Sequence, residues 1–596
     1  METDSGEPSF TPNESPSQKR KDKLPKQPFH HIAISLSGGG FRATAFHLGL
    51  ICYLSAKKYE GISLLDRVRI LSTASAGTFT GVKYVTTIKK GGTIKDCYNS
   101  LYSFMSECDL VSEALKYLSD DNNWKESKQR TLINAFAAIY YKKFESETFG
   151  LLWKKNRPIH LKEISFNATE FNFALPFRFQ KTERSQLKSG SHEFIGNKKI
   201  HIPVSMAKEI RFSDIIAASC CFPFGFEPIN FPDDFIYEEA VKLKDPSLLP
   251  KNVYDGDIIN YPIGLMDGAI DDNQGVDSVV VAEERMKQYP EDLKEFRSHD
   301  EKAVDLYIIS DVSRPNMQSY TNSATDKIPV VGEWHFKSLK HFGIICTILG
   351  LSAIPLAFLF TNKAVIIAFS VLGTLQCLIA FFLLIIAQSF TGLTRKLGVP
   401  EFVVKRLLHF NELKLTTLYT MFISRKKSAM KLVSDVFIKQ MKWFSFERVY
   451  GDVAWKPRLI MNSAFELTEA EIIKRKKKYS FLSRELSDPG EEIISAATIA
   501  SNVNTELWFT PEDLSGDKNK LNSLIASGQF TTCFNLLKYF EKFIKHKRYK
   551  DEYDQYSEET KKALDQLHRS LKEDWKKFKK DPYWLANEWN RKETKQ

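Results

Sequence analysis

The sequence has no Cys-x-x-Cys pair. Its eight cysteines (Cys52, Cys97, Cys108, Cys220, Cys221, Cys346, Cys377 and Cys533) are scattered, and no histidine stands at metal-ligand spacing from them. That argues against a structural zinc site or a disulfide framework, and the thiols are expected reduced. With 28 glycines and 23 prolines in 596 residues and no internal repeat, the chain is not collagen-like or of low complexity. Charge of one sign is also scarce. The 84 basic and 73 acidic residues leave a formal charge of +11 spread over the whole chain. The basic run Lys474 to Lys478 lacks interleaved aromatics, so no nucleic-acid partner is expected. Met1 to Pro28 has no apolar segment and is rich in Ser, Pro, Glu and Lys. It reads as a disordered tail, neither a signal peptide nor a transmembrane start.

What is present is confined and strong. Phe342 to Phe360 contains no charged residue and would reach about 28 Å as a helix, close to the hydrocarbon thickness of a bilayer. Ala364 to Ala387 is longer and equally apolar, and only Thr361, Asn362 and Lys363 separate the two. A tight antiparallel transmembrane hairpin is expected, returning the chain to the side it came from. Lys337, Lys340, Arg395 and Lys396 flank its outer ends, while the tip has Lys363 alone. The distribution of positive charge then puts both flanks, and the soluble mass, in the cytoplasm of a two-pass membrane protein.

Elsewhere the pattern is strand, turn, helix. His31 to Leu36 is a short β-rich run ending in Ser37-Gly38-Gly39-Gly40, and Phe41 to Leu54 has helical apolar spacing. Arg67 to Thr73 repeats the pattern, with Ala74-Ser75-Ala76-Gly77 at its turn. Two such units in series argue for a parallel sheet covered by helices. Ile164 to Ala168, Ser278 to Val281 and Asp305 to Ile309 read as further strands, and Leu564, Leu567, Leu571, Trp575 and Phe578 as one face of a charged C-terminal helix.

Three features carry chemistry together that none carries alone. Ser75 lies among small residues at a strand-to-helix junction, the context of a nucleophile elbow, although a serine there can also simply cap a helix. Gly38, Gly39 and Gly40 follow a strand, so their N–H groups can converge on one oxyanion. A dinucleotide-phosphate reading of these glycines fails because no acidic residue stands at a clear ribose position. Asp267-Gly268-Ala269 lies in a turn-rich stretch where an aspartate could approach a serine as general base, or merely form a turn.

These motifs resemble the patatin-like phospholipases. The family's glycine motif appears as Ser37-Gly38-Gly39-Gly40-Phe41-Arg42-Ala43, its nucleophile motif as Thr73-Ala74-Ser75-Ala76-Gly77, and its dyad motif as Asp267-Gly268-Ala269. Asn167-Ala168-Thr169, Ala217 to Pro223 and Thr505 to Phe530 carry lesser similarities, and Phe29 to Arg314 is the stretch covered well. The resemblance implies a three-layer α/β/α hydrolase fold with the hairpin inserted and a helical C-terminal region. It implies Ser75 as nucleophile, Asp267 as general base, oxyanion donors around Gly38, Gly39 and Gly40, and Arg42 as a support of the glycine loop or a head-group contact. The resemblance implies no metal and no cofactor, so none is expected. His47 is expected to be a packing or surface residue. Thr73 departs from the pattern, placing a β-branched side chain where the family has glycine. The organisation expected is a tail over 1–28, a catalytic domain over 29–335, the hairpin over 336–396, a region over 397–540 that could complete the hydrolase fold, and a charged helix over 541–596. The expected activity is hydrolysis of fatty acyl esters of (lyso)phospholipids, with a phospholipid membrane and a lipid substrate as partners. The alternatives are an esterase or thioesterase on another acyl substrate and a non-catalytic lipid-binding scaffold.

Overall fold

β1 (Ile32–Leu36) is buried at all five positions, the pattern of a parallel strand covered on both faces. The computed structural model describes residues 23–124, 128–183, 195–223, 225–252, 256–259, 261–288, 295, 302–313, 335–396, 414–478, 481–516 and 518–591. The chain divides into two units, residues 1–316 with 436–596, and residues 317–435.

In the first unit, β1 is joined by β2 (Val68–Ala74), β3 (Glu163–Glu170), β4 (Leu175–Thr182), β5 (Ile195–Gly196), β6 (Ile200–Ile202), β7 (Ile229–Phe231), β8 (Lys251–Asn252), β9 (Ile263–Asp267), β10 (Leu306–Asp311) and β11 (Leu459–Ser463). Among the described residues these eleven form one sheet in the order β8-β6-β5-β4-β3-β2-β1-β10-β11, with β9 pairing β3 and β7. The run from β3 through β2, β1 and β10 to β11 is parallel, whereas β4 and β9 pair β3 antiparallel.

Helices cover both faces. α1 (Gly40–Ala56) follows β1 and α2 (Gly77–Lys90) follows β2. Later come α3 (Leu110–Ser119), α4 (Leu132–Lys143), α5 (Phe212–Ser219) and α6 (Val276–Lys287). α6 takes up the stretch Ser278 to Val281 that reads locally as a strand. Val276, Val279, Val280 and Met286 recur at helical spacing and are buried against Ala33, Ile70 and Tyr307 of the sheet. The opposite face carries the larger core, which includes Phe46, Phe79 and Phe530. There α1 crosses a C-terminal helix, α10 (Lys520–Lys545), at Gly49 and Gly528, whose α-carbons leave no room for a side chain. α11 (Glu558–Lys580) begins at Ser557, whose side chain accepts the Thr560 N–H, and it buries Leu564, Leu567, Leu571, Trp575 and Phe578.

The expected tail is shorter than 28 residues. Leu24 is buried and its N–H donates to Glu552 at 2.6 Å, while Tyr556 O–H donates to the Pro25 carbonyl at 2.6 Å. The apolar side chains of Leu24, Pro25 and Pro28 gain more by covering the C-terminal helices than by remaining in water. Residues 1–22 lie outside those described.

The second unit contains α7 (Phe336–Ala357) and α8 (Lys363–Lys396), packed against each other as a hairpin. Gly350 meets Gly373 and Cys377 at the closest approach, the small-residue packing common between apolar helices. Ile345, Ile348, Leu351, Ile367, Val371, Leu375 and Phe381 are exposed along the pair. The expectation of two spans finds support for one of them. Among the described residues one helix, Lys363–Phe381, is long and apolar enough to cross a membrane. The apolar part of α7, His341–Ala357, is shorter because the helix ends at Ala357, before Phe358 to Phe360 are used. The side chains of Lys337, Lys340, Arg395 and Lys396, on which the expected orientation rests, lie outside the described residues, as do those of Lys474 to Lys478. α9 (Ile438–Tyr450) belongs to the first unit and buries Val449 under the sheet.

Candidate active site

The site forms where β2 and β9 end side by side, joined through β3. Register places Ala74 of β2 beside Asn167 and Asp267 of β9 beside Ala168. Two residues 192 apart in sequence are thus brought together, and Ser75 Oγ donates a 2.8 Å hydrogen bond to Asp267 Oδ2. Ser75 has φ 48°, the left-handed region that a non-glycine residue occupies at a cost of about 1–3 kcal/mol. The sharp turn between β2 and α2 imposes it and lifts the side chain off the strand end.

Asp267 is 1% exposed, and no cation among the described residues compensates it. Burial pushes its carboxyl up to about 7, against the opposing pull of the Ala269 N–H (2.8 Å from Oδ1) and the Ser75 hydroxyl. Its backbone is held from both sides. Asp267 N–H donates to the Cys221 carbonyl at 3.0 Å, and Thr169 Oγ1 donates to the Asp267 carbonyl at 2.9 Å. Asn167 braces the neighbouring strand end by donating to Thr73 O and Ser72 Oγ. Cys220 lies within hydrogen-bonding reach of Ser75. Burial and the charge of Asp267 push its thiol well up, so it is a neutral neighbour of the serine rather than a competing thiolate.

Of the three glycines expected as oxyanion donors, Gly38 is corrected. Its N–H is spent on the Asn273 carbonyl at 3.0 Å, a partner supplied by the turn after β9 that no local pattern announces. The N–H groups of Gly39 and Gly40 have no protein acceptor among the described residues, and neither does that of Ala76. Ala76 is not among the sequence candidates, although the residue after an elbow nucleophile regularly supplies such a donor.

Arg42 is buried. It donates to the Val503 carbonyl at 3.0 Å and lies over the Phe465 ring, while Phe41 N–H donates to the Glu506 carbonyl at 2.9 Å. The segment 503–506 therefore clamps the glycine turn from behind, and Arg42 supports the loop. His47 is fully buried between Ser310 Oγ and the Ser37 carbonyl, both at 2.9 Å, and burial pulls its pKa down to about 4. It is a packing residue that pins the strand end preceding the glycines.

Thr73 fits because of a glycine outside the motif. A methyl group at Gly81, one turn into α2, would lie 2.5 Å from Thr73 Cγ2. Thr73 Oγ1 continues a hydroxyl chain to Thr78 and Ser219, each link 2.9 Å, which ends on the Asn167 carbonyl at 2.6 Å. Gly81→Ala is expected to cost about 1–3 kcal/mol and to lower activity. Adding Thr73→Ser, which removes the methyl and keeps the hydroxyl, is expected to restore most of both. Chemical denaturation and hydrolysis rates of the two variants check this, and no recovery in the double variant would break the proposed pairing.

Among the described residues no group of His, Cys, Asp or Glu is arranged to hold a metal ion. No curated protein matches the chain significantly. Residues 34–280, which run from within β1 through both strand-to-helix turns, the end of β9 and into α6, match the family model for patatin-like phospholipase. Over residues 34–280 the chain is thus similar to the patatin-like phospholipases, a family of lipid acyl hydrolases.

Proposed function

We propose that the chain hydrolyses fatty acyl esters of phospholipids or lysophospholipids through a Ser75–Asp267 dyad, at the surface of a membrane to which its hairpin holds it. The observation that carries this reading is the 2.8 Å Ser75–Asp267 hydrogen bond at a left-handed turn beside unengaged backbone N–H groups. Ionised Asp267 takes the hydroxyl proton as Ser75 Oγ bonds to the ester carbonyl carbon. The carbonyl electron pair moves onto oxygen, where the N–H groups of Gly39, Gly40 and Ala76 receive it. Collapse breaks the ester bond, the alcohol leaves with the proton from Asp267, and Ser75 stays acylated. Water adds by the same route, and the fatty acid leaves.

The base must be ionised, and its pKa is raised to about 7. Activity should therefore rise with pH through about 7, with about a tenth of the plateau at pH 6. The pH profile of kcat/KM between about pH 5 and pH 9 checks the sign and position, and a flat profile would remove Asp267 as base.

The membrane part rests on the apolar helix Lys363–Phe381 and the exposed Ile, Leu, Val and Phe side chains of the hairpin. Such a surface calls for lipid or protein against it, and a tether raises the effective concentration of a bilayer ester. Sedimentation with membranes, with release by detergent but not by salt, is the expected result. Faster fatty-acid release from neutral glyceride emulsions than from phospholipid vesicles would overturn the substrate class.

A further inference from the structure

Asp311 ends β10 beside the glycine turn, and the register of β1 with β10 sets Ser310 against Leu36. Although buried, its carboxylate accepts four hydrogen bonds. Oδ1 takes the Ser313 N–H at 2.9 Å and the Ser313 hydroxyl at 2.6 Å, and Oδ2 takes Gln274 Nε2 at 2.9 Å and Lys442 Nζ at 2.6 Å. Lys442 is the one cation paired with it among the described residues. Burial opposes the charge of Asp311, and Lys442 with the Ser313 bonds outweighs that cost, holding the carboxyl below the usual carboxylate value. The ammonium comes from α9, 131 residues further along the chain.

Both loops that this carboxylate joins carry the glycine turn. On one side Val312 N–H donates to Ser37 Oγ at 3.1 Å, and Ser37 N–H donates to the Ser310 carbonyl at 3.0 Å. Val312 also packs so closely on Gly39 that a methyl group there would lie 2.5 Å from Val312 Cγ2. On the other side the Asn273 carbonyl holds the Gly38 N–H at 3.0 Å, and Asn273 Nδ2 reaches across to Ser313 Oγ at 3.1 Å. Asp311, through Ser313 and Gln274, is where 310–313 and 273–274 are fixed to each other, and Gly39 and Gly40 follow directly from the residues so held. A buried ion pair gains little stability over well-packed apolar side chains, whereas removing one partner strands the other charge. Without Lys442, Asp311 would be a buried carboxylate with no cation, and its protonation or hydration would disturb the bonds to Ser313 and Gln274. We propose that Lys442 is a positioning residue for the hydrolysis, a role that rests on the Ser75–Asp267 reading: paired with Asp311, it locks 310–313 to 273–274 and so aims the N–H groups of Gly39 and Gly40 at the oxyanion. Arg448, on the same helix, is the contrast. It pairs with Asp277 at the start of α6, whose carboxylate also holds Arg178 and bonds no residue of the glycine turn among the described residues.

Lys442→Met, Lys442→Arg and Arg448→Met of the full-length detergent-solubilised protein test it, with p-nitrophenyl butyrate as a soluble ester and denaturation midpoints confirming that all three fold. Lys442→Met is expected to lower kcat by about tenfold or more, short of the roughly 10²–10³-fold lost with a whole oxyanion donor, because the donors remain but are misaimed. Its KM should stay within about twofold of wild type, since donors aimed at the oxyanion act in the transition state and not on the bound ester. Lys442→Arg, which restores the cation, should recover most of kcat. Arg448→Met, which breaks an exposed pair on the same helix, should keep kcat within about twofold. Amide hydrogen exchange gives a readout independent of hydrolysis, and at residues 36–42 it should rise about tenfold in Lys442→Met while staying at the wild-type level in Arg448→Met. A folded wild type that hydrolyses no ester would remove the Ser75–Asp267 reading, and the exchange at 36–42 would then decide whether Lys442 holds the turn. Unchanged kcat in Lys442→Met, an equal loss of kcat in Arg448→Met, or unchanged exchange at 36–42 in Lys442→Met would overturn the proposal.

Discussion

Replacing Ser75 with alanine is expected to lower fatty-acid release from phospholipid vesicles by about six orders of magnitude, the scale at which a nucleophile is lost from a serine hydrolase. Asp267→Asn should fall nearly as far, because the amide holds the geometry but cannot take the proton. The two groups act as a unit, so the double variant should be no worse than Ser75→Ala alone. Ser75→Gly separates chemistry from folding. Ser75 sits at φ 48°, so glycine there should be as inactive as alanine yet about 1 kcal/mol more stable than it, since only the alanine retains the backbone strain. Hydrolysis rates and denaturation midpoints of the four variants check this, and substantial activity in Ser75→Ala would place the nucleophile elsewhere.

Gly40→Ala should be the most damaging single methyl in the glycine turn. Gly40 has φ +60°, and a side chain on it would press into the Thr505 carbonyl. The left-handed backbone costs a non-glycine residue about 1–2 kcal/mol, and overpacking against a backbone atom about 1–3 kcal/mol more. The segment 503–506 would have to retreat, loosening the clamp on Phe41 and Arg42, and activity should fall with stability. Gly61→Ala is the control, since Gly61 has φ +79° with nothing near its missing side chain. It should cost only the backbone part. Denaturation midpoints that are equal for the two variants would mean the close approach to Thr505 contributes nothing.

The α/β/α architecture is legible where local and global signals agree. β1 is apolar at every position but Ser35 and is followed by Ser37 and three glycines, and Ser75 is flanked by residues too small to obstruct a sharp turn. The two strand-to-helix units lie entirely in local sequence. Ser278 to Val281 misleads because three valines in five residues (276–280) have the composition of a strand, while the helix is set by burial of Val276, Val279, Val280 and Met286 on one side. β11 escapes a local reading because Leu459 to Ser463 is short and its partner β10 is about 150 residues earlier, beyond any local pattern. In the site, residue types nominate Ser75, Asp267 and three glycines. Which N–H groups are unengaged is a matter of tertiary hydrogen bonding, so residue types alone over-read Gly38 and overlook Ala76. Gly81 cannot be tied to Thr73 without knowing that β2 and α2 lie face to face.

The late position of β11 and α10 has a consequence for synthesis. As the nascent chain leaves the ribosome, Ser75, Asp267 and β10 emerge well before the strand that pairs with β10 and the helix that crosses α1. Until β11 is made, β10 is an open sheet edge, and until α10 is made the face of α1 around Gly49 is bare. The order of translation thus gives the domain an interval in which its motif-bearing residues exist without the packing that clamps them, the state chaperones recognise. A chain interrupted after the hairpin would retain Ser75, Asp267 and the glycines and still lack the segment 503–506 that packs behind them.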